Sequence, residues 1–202
     1  MLNTSFQATA STWANLLPVQ PLAVRPATAF DAAAIARIYN ESLPPGVSSP
    51  PDATTRIGGR RLAGSRMQLL TPDIMGGWIT AHAQYGRPLW MAHADGQAVG
   101  WLSLFGFSER PACTCAAEVS IYITRGWQRR GVGRMLIEHA LREAPLWDID
   151  RLMAFIWNDN MPSRMLFAQC GFGPWGVLPG VVWAEGVGRD MLILGRPLQA
   201  AR

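Results

Sequence analysis

Glu118-Val119-Ser120-Ile121-Tyr122-Ile123-Thr124-Arg125-Gly126-Trp127-Gln128-Arg129-Arg130-Gly131-Val132-Gly133-Arg134-Met135-Leu136-Ile137-Glu138-His139-Ala140-Leu141-Arg142-Glu143 is the stretch on which the fold turns. Its first part, Val119 to Thr124, is rich in β-branched and aromatic residues and reads as a strand. Val132, Met135, Leu136, Ala140 and Leu141 then recur at helical spacing, so a strand feeds a helix. Between them, Gln128 to Arg134 carries glycines at alternate positions, which lets the backbone turn tightly and leaves N–H groups unpaired where the helix begins. Such a terminus is an anion cradle, and Arg129, Arg130 and Arg134 add charge-assisted donors. The string lacks the third glycine of a dinucleotide fingerprint and the Lys-Ser/Thr pair of a P-loop.

Outward from this centre, 202 residues with 49% hydrophobic content suffice for one well-buried domain, expected at 21–198 behind an N-terminal extension at 1–20. The net charge of +4 is carried by arginine alone, and charged residues are only 16% of the chain. That mild basicity suits an anionic cofactor. No dense arginine run interleaved with aromatics supports a nucleic-acid partner. Cys113, Cys115 and Cys170 lack metal-ligand spacing and read as reduced thiols, so no metal is expected. With neither an export signal nor an apolar run of membrane-spanning length, the expected location is cytoplasmic, with no membrane partner.

In chain order, Leu22 to Arg25 reads as a strand, and Thr28 with Asp31 resembles a capping box ahead of a helix bearing Ile35, Ile38 and Tyr39. Ser42 to Ser65 has no sustained period and reads as a long loop, either a functional lid or a solvated insert. Its Arg56 is a candidate partner for a substrate carboxylate. Thr71-Pro72-Asp73 caps a second helix carrying His82. Leu89 to Ala94 and Ala98 to Phe105 form a hairpin around Asp95-Gly96. Leu152 to Trp157 reads as a buried strand, Asn160 to Cys170 as a turn into a helix closed by Gly171, and Val177 to Ala184 with Arg189 to Leu194 as the last strands.

A strand, then Gln128-x-x-Gly131-x-Gly133, then an amphipathic helix resembles the acetyl-CoA pyrophosphate site of the GNAT N-acetyltransferases. Asn160-x-x-Ser163 followed by a short helix and Gly171-Phe172 is similar to that family's second cofactor-binding region. Ala117-Glu118-Val119-Ser120-Ile121-Tyr122-Ile123 resembles the phosphinothricin acetyltransferase-like branch, as do Arg25-Pro26-Ala27-Thr28, Val99-Gly100-Trp101 and Gly188-x-Asp190. The resemblance implies an α/β fold with a mixed, centrally splayed sheet flanked by helices. It implies acetyl-CoA as co-substrate, held by Ile121, Tyr122, Ile123, Gln128, Arg129, Arg130, Gly131, Val132, Gly133, Arg134, Asn160 and Ser163. It further implies Glu118 as general base and a homodimer. Trp101 joins Arg56 as a substrate-side candidate.

The chemistry makes sense of such parts. An acyl-transferase must hold a thioester beside an amine, take a proton from an ammonium of pKa about 8 to 10, and stabilise the oxygen charge that develops. Glu118 can take the proton directly or through water, its duller alternative being a surface ion pair. An N–H between Ile121 and Ile123 can donate to the thioester oxygen, as the resemblance implies. Many family members carry a Tyr where this chain has Phe167, which leaves Tyr122, water or Cys170 to serve the departing thiolate. The expected reaction is acetylation of a small primary amine, an amino acid or an analogue of the phosphinothricin or methionine sulfoximine kind. A protein N-terminus or aminoglycoside as acceptor, and a non-catalytic coenzyme A-binding module, are the rival readings.

Overall fold

The computed structural model describes residues 22–43, 69–108, 110–184 and 187–198. The expected extension at 1–20 and most of the expected loop, with Arg56, lie outside the described residues. The chain runs β1 (Leu22–Pro26), α1 (Ala32–Asn40), α2 (Pro72–Gln84), β2 (Leu89–Ala94), β3 (Gln97–Gly106), β4 (Ala116–Ile123), α3 (Val132–Glu143), β5 (Arg151–Trp157), α4 (Met161–Gln169), β6 (Gly173–Ala184) and β7 (Val187–Pro197). One seven-stranded sheet takes the order β1-β2-β3-β4-β5-β7-β6. Among the described strands β4 and β5 form the one parallel pair, which needs the crossover supplied by α3.

Local chemistry explains the element starts. Thr28 and Asp31 do pair reciprocally: Asp31 N–H donates to Thr28 O at 2.9 Å, and Thr28 N–H donates to Asp31 Oδ2 at 2.7 Å. They open a short 3-10 turn before α1, one turn earlier than a simple helix start. The Arg25 guanidinium donates to both Asp31 oxygens at 2.7 and 2.8 Å, its hydrogen bonds first among the causes that hold this carboxyl down to about 2. Thr71 Oγ1 accepts from Ile74 N–H at 3.3 Å, with Pro72 at the first helical position of α2. The β2–β3 turn places Asp95 and Gly96 at φ 50° and 75°, the double left-handed geometry that such a dipeptide favours.

Alternation in the strands sorts two cores. Val99, Leu102, Leu104, Val119, Leu152, Ala154 and Ile156 point to the face covered by α3 and α4, with Leu136, Ile137 and Phe167. Leu89, Met91 and Trp101 point to the other face, beneath α1 and α2. β6 and β7 exceed their expected lengths, because antiparallel pairing carries them beyond the apolar runs and through two register shifts in β6.

Candidate active site

β4 and β5 are hydrogen-bonded only from Ala116↔Arg151 to Glu118↔Met153; beyond that point each pairs on its outer side alone. The sheet is therefore split at its centre into a wedge. Which backbone groups face the split follows from the β3–β4 ladder. Thr124 N–H donates to Val99 O at 3.0 Å and Phe107 N–H to Ala116 O at 3.2 Å, so even-numbered residues of β4 turn their amides toward β3. The amides of Ile121 and Ile123 then point into the split. Tyr122, expected to share that role, has its amide on the β3 side. Gln128 Nε2 donates to Ile123 O at 3.2 Å and closes the top of the wedge.

At the mouth, Arg129 (φ 59°) and Gly131 (φ 85°) bend the chain through left-handed backbone into α3. No side chain caps this helix, so its first-turn N–H groups, from Val132 on, face outward as donors. A Cβ on Gly131 would meet nothing within 4 Å, which leaves room for an anion against the backbone. Gly133 is the tighter position: a Cβ there would lie 2.9 Å from Leu166 Cδ2, a side-chain end that would have to turn aside. Arg130 sits 5.1 Å over the Trp127 ring, and Arg134 pairs with Glu138 at 2.7 Å on the exposed helix surface. Asn160 caps α4, its Oδ1 accepting from Ser163 N–H at 3.1 Å, which leaves the Asn160 amide nitrogen as a donor near the wedge-side helix start. Anion donors on α3 and open strand amides in the split together fit a long thioester cofactor with a pyrophosphate.

Glu118 stands at the apex on the α1–α2 face, half-buried, and no hydrogen bond reaches its carboxylate among the described residues. Burial pushes its pKa up. Tyr122, two alternations along the same face, contacts Tyr39 at 5.1 Å and Trp101 at 4.5 Å between ring centroids. Burial, then the neighbouring Tyr39 and Glu118, push its phenol well up, so it stays protonated. Trp101 is only 3% exposed and gives its indole N–H to Ile35 O at 3.2 Å, so it backs Tyr122 rather than facing a ligand. Phe167 is buried edge-on against Phe172, and Cys170 lies near Arg134, Glu138 and Arg196 at the end of α4, its thiol pushed up first by burial. His82 is enclosed by Trp78 and Phe105, and burial brings it down to about 4.

Two features escaped sequence reasoning. Glu41 ties the end of α1 to the turn after β4, accepting from Thr124 Oγ1 and from Arg125 N–H while pairing with Arg37 at 2.7 Å; nothing local in the sequence signals it. Phe155 and Trp157 lie on the face of β5 away from the α3–α4 core, which strict alternation within Leu152 to Trp157 could have revealed. Among the described residues no cluster of His, Cys, Asp or Glu could hold a metal ion, and no helix is long and apolar enough to cross a membrane.

Comparison with known proteins bears on this arrangement. A model of the Acetyltransferase (GNAT) family matches residues 65–172. YwnH of Bacillus subtilis, provisionally named a phosphinothricin acetyltransferase, is 36% identical over 169 residues, 83% of this chain and 94% of that protein. A crystal structure provisionally described as a phosphinothricin N-acetyltransferase superposes with a TM-score of 0.70 at 36% identity, covering 89% of this chain and 99% of the other. The Sinorhizobium meliloti phosphinothricin acetyltransferase, crystallised with acetyl-CoA, shares the fold with a TM-score of 0.75 at 22% identity over 88% of each chain.

Proposed function

The chain belongs to the GNAT acetyltransferase family and is an N-acetyltransferase, and from that premise we propose that it moves the acetyl group of acetyl-CoA to the primary amine of a small amino acid or amino-acid analogue. The observation that carries the reading is the split of β4 from β5 beneath an uncapped helix start. When bound, acetyl-CoA supplies the activated acyl group. The Gly131 turn and the first N–H groups of α3 hold its pyrophosphate, with Arg129 and Arg130 beside them. Asn160 and Ser163 meet the pantetheine arm from the other side of the wedge.

Ile121 or Ile123 N–H donates to the thioester oxygen and strengthens that bond as negative charge develops there. Glu118 removes the ammonium proton, directly or through water. Its position in a half-buried site raises its basicity toward that of the amine it serves. Tyr122 keeps its proton and so can offer only a hydrogen bond toward the sulfur, while coenzyme A departs as a thiolate, a tolerable leaving group near neutral pH that equilibrates with solvent. Arg56 remains the candidate for the acceptor carboxylate. The working location is the cytoplasm and the working form a homodimer.

Thiol release from acetyl-CoA, followed across a panel of amino acids, amino-acid analogues, aminoglycosides and N-terminal peptides, tests the reading. Turnover confined to the amino-acid group is expected. Tight acetyl-CoA binding without turnover of any amine would instead identify a coenzyme A-binding module.

A further inference from the structure

Beyond Glu118↔Met153 the two central strands continue side by side without pairing, and count along them sets Ser120 level with Phe155 and Tyr122 level with Trp157. All four face the α1–α2 side, since Val119, Ala154 and Ile156 occupy the opposite core. Among the described residues, the helices of that side pack with Leu89, Met91 and Trp101 in a cluster that Tyr122 joins and to which no residue of β5 belongs. Phe155 and Trp157 are accordingly half-buried and belong to neither core. Phe155 lies nearly parallel to Phe107, their ring centroids 6.3 Å apart at an interplanar angle of 8°. The Trp157 ring is held from above by the Arg189 guanidinium, 5.9 Å from its centroid. Arg189 is matched in turn by Asp159 at 2.6 Å, so the rim of the gap offers an ion pair rather than an uncompensated cation. At the floor stands the Glu118 carboxylate, which no described side chain neutralises. An anionic side chain entering this gap would meet a like charge below and a satisfied guanidinium above. An apolar one would exchange water for aromatic faces.

We propose that the gap between Tyr122 and Trp157 is the subsite for the acceptor's side chain, and that Trp157 sets specificity for an uncharged apolar body. The class is that of L-phenylalanine, L-methionine or L-leucine, preferred over amino acids with an anionic side chain such as phosphinothricin or L-glutamate. The assignment rests on the N-acetyltransferase reading above and names the acceptor class of that site. Trp157 acts by touching the acceptor; Arg189 and Asp159 are positioning residues that hold its ring.

The test measures kcat/KM for L-phenylalanine, L-methionine, phosphinothricin and L-glutamate at saturating acetyl-CoA. The apolar pair should exceed the anionic pair by about tenfold or more. Trp157→Ala should lower kcat/KM for the apolar pair by about tenfold, chiefly through KM, and for the anionic pair by clearly less, so that the preference narrows while the KM for acetyl-CoA changes by less than about twofold. Trp157→Phe, which keeps a ring and the fold, should retain most of the apolar preference, so a poorly folded alanine variant leaves the proposal open to refutation. Preference of the natural protein for the anionic pair, or an equal loss for all four acceptors in a well-folded Trp157→Ala, would overturn the subsite while leaving the acetyltransferase intact. Acetylation of no amine at all, with acetyl-CoA still bound, would overturn both.

Discussion

Glu118 is set apart by its surroundings: it is half-buried, its pKa is raised by burial, and no described donor reaches it. Glu118→Gln keeps the size and loses the proton acceptor, so kcat should fall by about a hundredfold while calorimetry finds acetyl-CoA affinity unchanged. The deficit should shrink as pH rises toward the acceptor's own pKa, where more amine arrives deprotonated. Stability moves the other way. A carboxyl whose pKa is raised on folding contributes stability below its unfolded value and loses it as pH rises through the folded one. At pH 8 the glutamine variant should therefore melt no lower than the natural protein. A variant both inactive and markedly less stable would make Glu118 a structural residue. Asp31 has the opposite sign. Lowered to about 2, first by its hydrogen bonds to Arg25, it stabilises above the ordinary carboxyl range and loses that contribution as pH falls from about 4 toward 2. Asp31→Asn should cost about 1 to 2 kcal/mol at pH 7, discounted for the exposed half of Arg25, and the gap in urea midpoints should narrow below about pH 4 and close only as pH approaches about 2.

The β4-turn-α3 unit was the most legible element, because its residues answer to local rules. β-branched alternation makes the strand, the glycine turn starts the helix, and period 3.6 extends it. What the two glycines do was legible only in part. Gly131 supplies left-handed backbone, as a turn before a helix suggests, whereas Gly133 lies tight against the side-chain end of Leu166 on α4, a neighbour remote in sequence. Gly131→Asp should abolish measurable acetyl-CoA binding by calorimetry, through strain and like charge together. Gly133→Ala should weaken binding more mildly and lower thermal stability by about 1 kcal/mol or less as Leu166 turns aside, and a loss of several kcal/mol would contradict that packing argument. Trp101 shows the limit of sequence reading from the other direction. A Trp in a strand beside the site suggests a pocket wall, but which of two faces it takes, and what lies over it, depends on α1 folding back across the sheet to accept its N–H. Alternation along Leu152 to Trp157 marks Phe155 and Trp157 as sharing a face, but that the described helices of that face stop short of them is a property of the tertiary structure, so the apolar run reads as wholly buried.

For the molecule as a whole, the sheet ends on β6, a long outer strand exposing Trp175, Val177 and Val181 to about half of their surface. An apolar edge that pairs with no further described strand is a template for another strand, and a second copy of the chain is the self-complementary occupant. Light scattering at tens of micromolar should give the dimer mass, and Val181→Lys should shift it toward monomer. Monomer mass in the natural protein throughout that range would remove the homodimer.

The split sheet has one more implication. Ile121 and Ile123 carry main-chain donors that no described strand engages, so in the empty state they should trade hydrogen for deuterium quickly, and become protected once a thioester lies along β4. The same guest binds the native chain and not the unfolded one, adding about 2.7 kcal/mol at a hundredfold excess over its dissociation constant. A melting temperature that fails to rise with acetyl-CoA, or amides equally protected without it, would contradict this linkage. Where it holds, the lifetime of the protein against proteolysis follows the acetyl-CoA concentration of the cell, so that its abundance falls when acetyl groups are scarce even with synthesis constant.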